Sequence, residues 1–183
     1  MQRINGIGQG LSGITYLAGG QLVVDHCVID RFTTNGIRAV LAASGNLVVT
    51  NTTITGAATS AIVLNTTAGM LFGSFSHVNI NGSANGVVVK SGAIADISDS
   101  TVFATAGTGL WVQAGVLTAS RNIISNGSGA AVYPQGGVIR LNGNNIYNNA
   151  VGIGTGAGMV GTAGNNILAG NGGSSVSPTL TTY

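Results

Sequence analysis

The sequence predicts an all-β protein wound as a right-handed parallel β-helix, a single-stranded solenoid of about seven coils with 21–25 residues and three short strands in each. Two observations predict this fold. First, a glycine is followed two residues later by a large aliphatic residue at successive steps of 25, 24, 23, 23, 22 and 21 residues. Second, two more columns of aliphatic residues repeat with the same period. The short segments around them are rich in Val, Ile and Thr, which is typical of strands rather than helices.

Three aliphatic columns are assigned to the three strands of each coil. The first column follows the glycines and comprises Leu22, Leu47, Leu71, Ile94, Leu117, Ile139 and Val160. The second comprises Val28, Ile54, Val78, Val102, Ile123, Ile146 and Ile167, with Ile4 as the start of one more turn. The third comprises Ile14, Ile37, Ile62, Val87, Leu110, Ala131 and Ile153. Because neighbouring coils of a solenoid close each other's open faces, the columns predict one continuous core.

The corners and the end of the rod have their own signals. Glycine suits corners that need a positive φ. Asn122, Asn145 and Asn166 recur beside the second column, and stacked asparagines can hydrogen-bond from one coil to the next. We therefore expect a β-helix domain over residues 1–172 and a C-terminal tail or cap over residues 173–183. Pro178 lies in that tail and cannot donate to a strand ladder.

The composition excludes several classes of protein. Only 5% of the 183 residues are charged, while 44% are apolar, which argues against a disordered chain. A net charge of +2 is too small for a nucleic-acid partner, whose phosphates need many cations. Cys27 is the single cysteine, so neither an intrachain disulfide nor a cysteine metal cluster is expected. No apolar run reaches the length of a membrane span.

Enzyme chemistry on a glycosidic bond needs two carboxylates about 5–10 Å apart. The column map puts Asp25 and Asp99 in one column, three coils and thus about 14 Å apart. Asp96 with Asp99 is the one pair left as a candidate catalytic site. The alternative role for Asp99 is an ion pair with Arg121 of the next coil. The two histidines, His26 and His77, fall in different columns, and no metal site is predicted.

The outward neighbours of the third column form a stripe that is unusually apolar for a solvent-exposed face. By strand alternation this outer stripe reads Thr15, Arg38, Val63, Val88, Trp111, Val132 and Gly154. Exposed apolar strips often mark contact surfaces. We therefore predict a binding surface at Trp111, with Arg38 and Lys90 nearby, that stacks a sugar or contacts another molecule. The alternative is that strand propensity alone, or cover by a loop or the tail, explains the stripe.

The run "LSGITYLAGGQLVVDHCVIDRFTTNGI" resembles the small right-handed β-helix repeat proteins of bacteria that belong to the pectate-lyase-like superfamily. "NNIYNNAVGIGTGAGMV" and "GNNILAGNGG" are similar to their C-terminal coils. The resemblance covers nearly the whole chain and is specific for the fold. It is weak for activity, because the superfamily includes lyases, hydrolases, isomerases, adhesins and tailspikes. It implies clustered acidic residues, with calcium in the lyases, wherever a member is an enzyme.

We therefore expect a non-catalytic structural or binding solenoid, secreted or displayed at the cell surface. It would contact a polysaccharide or self-associate into a homo-oligomer, through open coil ends or the apolar outer stripe. The alternative is a carbohydrate-active enzyme, a polysaccharide lyase or hydrolase, with Asp96 and Asp99 as its carboxylates. Calcium is expected only in the lyase alternative. Neither a nucleic-acid partner nor a membrane span is expected.

Overall fold

The computed structural model describes residues 1–173 and 180–182, and it shows an all-β solenoid built from three parallel sheets. Sheet A contains β1 (Gln2–Asn5), β4 (Cys27–Asp30), β7 (Thr53–Thr55), β10 (Asn79–Asn81), β13 (Thr101–Phe103), β16 (Ile123–Ser125), β19 (Asn145–Tyr147) and β22 (Ile167–Ala169). Sheet B contains β2 (Ser12–Tyr16), β5 (Asn35–Leu41), β8 (Ser60–Thr66), β11 (Asn85–Val89), β14 (Leu110–Val112), β17 (Ala130–Pro134) and β20 (Val151–Ile153). Sheet C contains β3 (Gln21–Asp25), β6 (Gly45–Thr50), β9 (Leu71–Ser76), β12 (Ala93–Ser98), β15 (Val116–Ser120), β18 (Val138–Asn142), β21 (Met159–Thr162) and β23 (Leu180–Thr182).

The chain visits sheets B, C and A in turn, so β2 to β22 form seven coils of three strands each. Strand β1 extends sheet A before the first coil, and β23 pairs in parallel with β21 after the last. This confirms the predicted fold class, coil number and strands per coil, while the right hand of the winding stays a prediction. Pro178 and most of the predicted tail lie outside the described residues. None of the described residues forms a helix long and apolar enough to span a membrane.

The interior is the predicted stack of aliphatic side chains, but the register differs at several positions. In sheet C the inner position of Leu47 is continued by Gly73 and Ala95, whereas Leu71 aligns with Gly45 and Ala93. Ile94 was predicted to be internal, but it lies on the outer face. In sheet A the true inner column is Ile4, Ile29, Ile54, Ile80, Val102, Ile124, Ile146 and Leu168. The predictions Val28, Val78, Ile123 and Ile167 were therefore wrong by one or two residues.

Sheet B keeps the predicted register except at one strand. Ile14, Ile37, Ile62, Val87 and Leu110 stack directly. In β17 the residue that continues this column is Val132 rather than Ala131. Ala131, the second residue of β17, is also buried. The shift by one residue moves Tyr133 to the outer face in place of Val132.

The bend from sheet C to sheet A explains several polar residues of the chain. In five consecutive coils its turning residue has a positive φ of 49° to 54°, and Gly143 takes the same role in the next coil. The five residues are His26, Asn51, His77, Asp99 and Arg121. The two histidines therefore share one corner position, in contrast to the prediction. Because the turning residues are exposed, they form a polar edge along the rod.

An asparagine ladder supports this corner from inside. Asn122, Asn144 and Asn166 stack at the same position of successive coils, and Asn122 and Asn144 are buried. In each step a side-chain carbonyl accepts from the backbone N–H of the preceding asparagine, at 2.8–3.0 Å. The predicted ladder is thus confirmed, with Asn144 in place of Asn145, which is exposed on β19. A second pair, Asn149 and Asn171, makes the same contacts at the corner after sheet A.

Candidate functional site

The outer face of sheet B brings the predicted contact residues onto neighbouring strands. Arg38, Val63, Val88, Trp111 and Tyr133 align directly, one in each of five consecutive strands. Lys90 directly follows β11, so it lies beside this column in the same coil as Val88. The three residues predicted for binding, Trp111, Arg38 and Lys90, therefore share one face of the rod.

A groove of about 280 Å³ lies between Arg38 and Lys90. Its floor is formed by Val63 and Val88, which are only 9% and 2% exposed although they point away from the core. The amide side chains of Asn65 and Gln113 line its wall. Arg38 and Lys90 are two coils apart, which is about 10 Å along the rod. The groove is a concave surface with two valines at its floor and mostly polar side chains around them.

The charged side chains that line the groove are both positive. Among the described residues, neither Arg38 nor Lys90 has a carboxylate within ion-pairing distance. No aspartate is among the residues that line the groove in the described part of the chain. Two cations that are not neutralised by the protein favour an anionic ligand.

Arg38 also borders a second hollow toward the first coil, which is lined by Leu11, Ser12, Thr15 and Thr34. The face of sheet B is therefore concave on both sides of this arginine. A linear ligand on this face would pass over Arg38 and reach the groove without leaving the sheet.

Two aromatic rings continue the column beyond the groove. The ring centroids of Trp111 and Tyr133 are 6.5 Å apart, with planes inclined by 42°. The indole Nε1–H of Trp111 donates to Oε1 of Gln135 at 3.0 Å, which fixes the ring orientation. Tyr133 was missed because the sequence prediction placed Val132 at this position. The constant step of 22 residues from Trp111 to Tyr133 and from Gln113 to Gln135 was the signal for it.

The candidate carboxylate pair does not form a free acid–base pair. Asp99 accepts two hydrogen bonds from Arg121, at 2.7 and 2.8 Å, which confirms the predicted ion pair. These hydrogen bonds hold the pKa of Asp99 below its usual range. Asp96 lies apart from them on the outer face of β12. Asp25 does not share the column of Asp99 as predicted, because Asp25 aligns with Thr50 and, through it, with the serines of sheet C.

The other two aspartates are also engaged. Asp25 accepts hydrogen bonds from Thr50, His26 and Asn51, and these lower its pKa, with Thr50 as the largest cause. Asp30 is buried and accepts from Thr55 at 2.6 Å and from Arg3 and Arg31 at 3.1 Å. The hydrogen bond from Thr55 is the main reason that the pKa of Asp30 is lowered. A general acid at neutral pH needs a raised pKa, so these carboxylates suit structural roles.

The two histidines, His26 and His77, are of a residue type that often binds metal ions. Within the described residues, no group of three or more His, Cys, Asp or Glu side chains is arranged to hold a metal ion. His26 and His77 share the corner position, but they are two coils apart, which is about 10 Å. His26 instead contacts the carboxylate of Asp25 through Nδ1 at 2.7 Å.

Comparisons of this chain with protein-family models, with curated proteins and with solved structures give no match. The fold is therefore assigned from the structure itself.

Proposed function

We propose that this protein is a non-catalytic binding solenoid that holds an acidic polysaccharide in the groove on sheet B. One observation carries the proposal: Arg38 and Lys90, both without an ion-pair partner among the described residues, flank an apolar floor of Val63 and Val88. A guanidinium binds a carboxylate in bidentate fashion, while an ammonium acts as a point charge. The valine floor suits the apolar face of a sugar ring.

The shape of the molecule supports a linear ligand. Successive strands of sheet B present equivalent positions about 4.8 Å apart along the rod. From Arg38 to Trp111 the column extends over three steps, or about 14 Å. A chain of uronate sugars offers carboxylates and ring faces in regular alternation. Such a chain can meet the cations and the aromatic rings of one column together.

A binding role rather than a catalytic one is supported by the state of the acids. Asp25, Asp30 and Asp99 accept hydrogen bonds that stabilise their charged forms. Asp96 projects from sheet C, and the groove lies on sheet B. Asp96 and the two groove cations, Arg38 and Lys90, are thus on different faces.

We also propose that the chain belongs to the pectate-lyase-like class of secreted or surface β-helices. Three parallel sheets, a one-residue bend with positive φ and an asparagine ladder support the β-helix fold that this assignment requires. We propose that it keeps the glycan contact of such proteins without their hydrolytic or eliminative chemistry.

Titration calorimetry with short oligogalacturonides tests the proposal, beside neutral cello-oligosaccharides of the same length. We expect binding of the acidic sugar only. Arg38→Gln and Lys90→Gln should each weaken it about tenfold, equivalent to about 1.4 kcal/mol. Arg140→Gln is the matched control, because it removes the same charge from sheet C and should leave the affinity unchanged.

Three results would contradict the proposal. The first is equal affinity for neutral and acidic oligosaccharides, and the second is an affinity unchanged in both groove variants. The third is release of unsaturated uronides from pectin or alginate, with or without calcium, which would establish the lyase alternative. Loss of that release in Asp99→Ala would then identify the corner as the catalytic site.

A further inference from the structure

The outer face of sheet C carries an apolar ridge over five consecutive coils. One residue from each of β9, β12, β15, β18 and β21 occupies the same position in the strand ladder. In order along the rod, the apolar ridge is Phe72, Ile94, Val116, Val138 and Met159. Phe72 and Met159 at its ends are 48% and 52% exposed, and the three residues between them are half-buried.

A second column beside the ridge carries opposite charges. Asp96, Thr118 and Arg140 align on β12, β15 and β18, each two residues after the ridge residue of its strand. Asp96 and Arg140 are exposed, and among the described residues neither has an ion-pair partner. They are two coils apart, about 10 Å, so the intramolecular distance is too long for a direct salt bridge.

Both columns are symmetric about β15. A two-fold axis can be placed over β15, parallel to the strands. It brings β12 of one copy opposite β18 of a second copy, and β9 opposite β21. It keeps each column opposite itself and reverses the order of coils. Asp96 then faces Arg140 of the second copy, and Arg140 faces Asp96 of the second copy. Along the ridge, Phe72 meets Met159, Ile94 meets Val138, and Val116 meets its own equivalent.

We propose that two copies of this protein pair face to face through sheet C about this axis. The binding partner is a second copy of this chain, because the surface is complementary to itself in charge and in polarity. A two-fold interface requires such self-complementarity. Sheets that pack face to face with their strands aligned are a common arrangement. The interaction uses a different face from the groove on sheet B, so it stands or falls independently of glycan binding.

The area of the proposed interface determines how tightly the two copies should bind. Five strands about 4.8 Å apart, each contributing about five residues of about 3.3 Å, cover roughly 400 Å² per copy. The total of roughly 800 Å² is about half of a standard protein interface, so a weak, reversible dimer is expected. Concentration-dependent association in the micromolar to millimolar range is the corresponding behaviour in solution.

Charge reversal in sedimentation velocity experiments tests the pairing. Asp96→Arg and Arg140→Asp should each be monomeric where the wild type dimerises, because each places like charges opposite one another. An equimolar mixture of the two variants should form a heterodimer, since every facing pair is then of opposite charge. The double variant should dimerise again. Arg38→Asp, which makes the same charge change on sheet B, should behave as the wild type.

Circular dichroism and thermal unfolding of each variant establish that its fold is retained. A wild type that stays monomeric up to millimolar concentration would overturn the proposal. So would single variants that dimerise as the wild type does, or a mixture and a double variant that both remain monomeric.

Discussion

The side-chain carbonyl of Asn144 accepts hydrogen bonds from both the backbone N–H and the side-chain amide of Asn122, each at 3.0 Å. Its own amide donates to the backbone carbonyl of Ala119 at 2.8 Å and to Oδ1 of Asn166 at 2.9 Å. The fully buried Asn144 therefore joins three coils. It also satisfies the backbone N–H of Asn122, which lies at the corner between β15 and β16.

Replacing Asn144 with alanine should destabilise the fold strongly. The change leaves the buried N–H of Asn122 without its acceptor, at a cost of about 1–3 kcal/mol, and it also removes the hydrogen bonds to the Asn122 amide, the Ala119 carbonyl and Asn166. We expect the free energy of unfolding in urea to fall by about 3 kcal/mol or more. The control is Asn145→Ala on the exposed side of β19, with an expected change within about 0.5 kcal/mol. Equal effects of the two substitutions would contradict the ladder as described.

Leu71 and Ile94 should respond differently to truncation, although both were predicted to be internal. Leu71 is fully buried, so Leu71→Ala should cost about 2–5 kcal/mol. Ile94 lies on the outer face, so Ile94→Ala should cost less than about 1 kcal/mol in dilute solution. Chemical denaturation monitored by circular dichroism measures both values. A larger loss for Ile94→Ala than for Leu71→Ala would show that the register of sheet C is wrong.

Asp30 should make the protein sensitive to acid. Its pKa is lowered chiefly by the hydroxyl of Thr55, and also by the guanidinium groups of Arg3 and Arg31. A lowered pKa in the folded state means that the stabilisation is complete above the ordinary aspartate pKa of about 3.9 and is lost as the pH falls through the lowered value. Asp30→Asn should therefore be less stable than the wild type at neutral pH, and the difference should shrink in acid.

Melting temperatures of the two proteins across this pH range measure the effect. Asp96→Asn is the control, because the Asp96 carboxylate makes no ion pair among the described residues. In dilute solution, where the protein is monomeric, it should leave the melting temperature unchanged at every pH. A wild type and an Asp30→Asn variant that differ equally at neutral and acidic pH would contradict the role assigned to this carboxylate.

The repeat alone was sufficient to predict the architecture, because an aliphatic column with a nearly constant step has few structural solutions. The repeat length did not determine which of two adjacent aliphatic residues points into the core. In "CVID" both Val28 and Ile29 are strand formers, and only the pairing of Ile29 with Ile4 and Ile54 decides between them. A slip of one residue reverses every side chain, so such ambiguity matters for any site.

Sheet C shows a second limit of sequence reasoning. At Gly73 an inner position is occupied by glycine, and a Cβ there would lie 2.7 Å from Cδ2 of Leu64 and 2.8 Å from Cζ of Phe75. The large neighbours thus fill the space that the glycine leaves. A search for aliphatic residues passes over this position and takes Leu71 instead. The wrong register of sheet C is also the reason that the apolar ridge was not predicted, because Ile94 was assigned to the core.

The outer column of sheet B was predicted better than the core register. Trp111, Arg38 and Lys90 do lie together on sheet B, since the third column was correct through Leu110. The amides of Asn65 and Gln113 were not predicted, because they lie two residues beyond Val63 and Trp111, outside the column that the prediction followed. Their role follows only from the groove that they line.

The binding groove is tested most directly by nuclear magnetic resonance of the labelled protein during titration with a short oligogalacturonide. The chain has one tryptophan, so the indole N–H of Trp111 gives a single, assigned signal. If the groove on sheet B binds the acidic sugar, this signal and the backbone amides of Arg38, Lys90 and Gln113 should shift together as the sugar is added. Unchanged signals on sheet B, or shifts confined to the corner around Asp99 and Arg121, would contradict it.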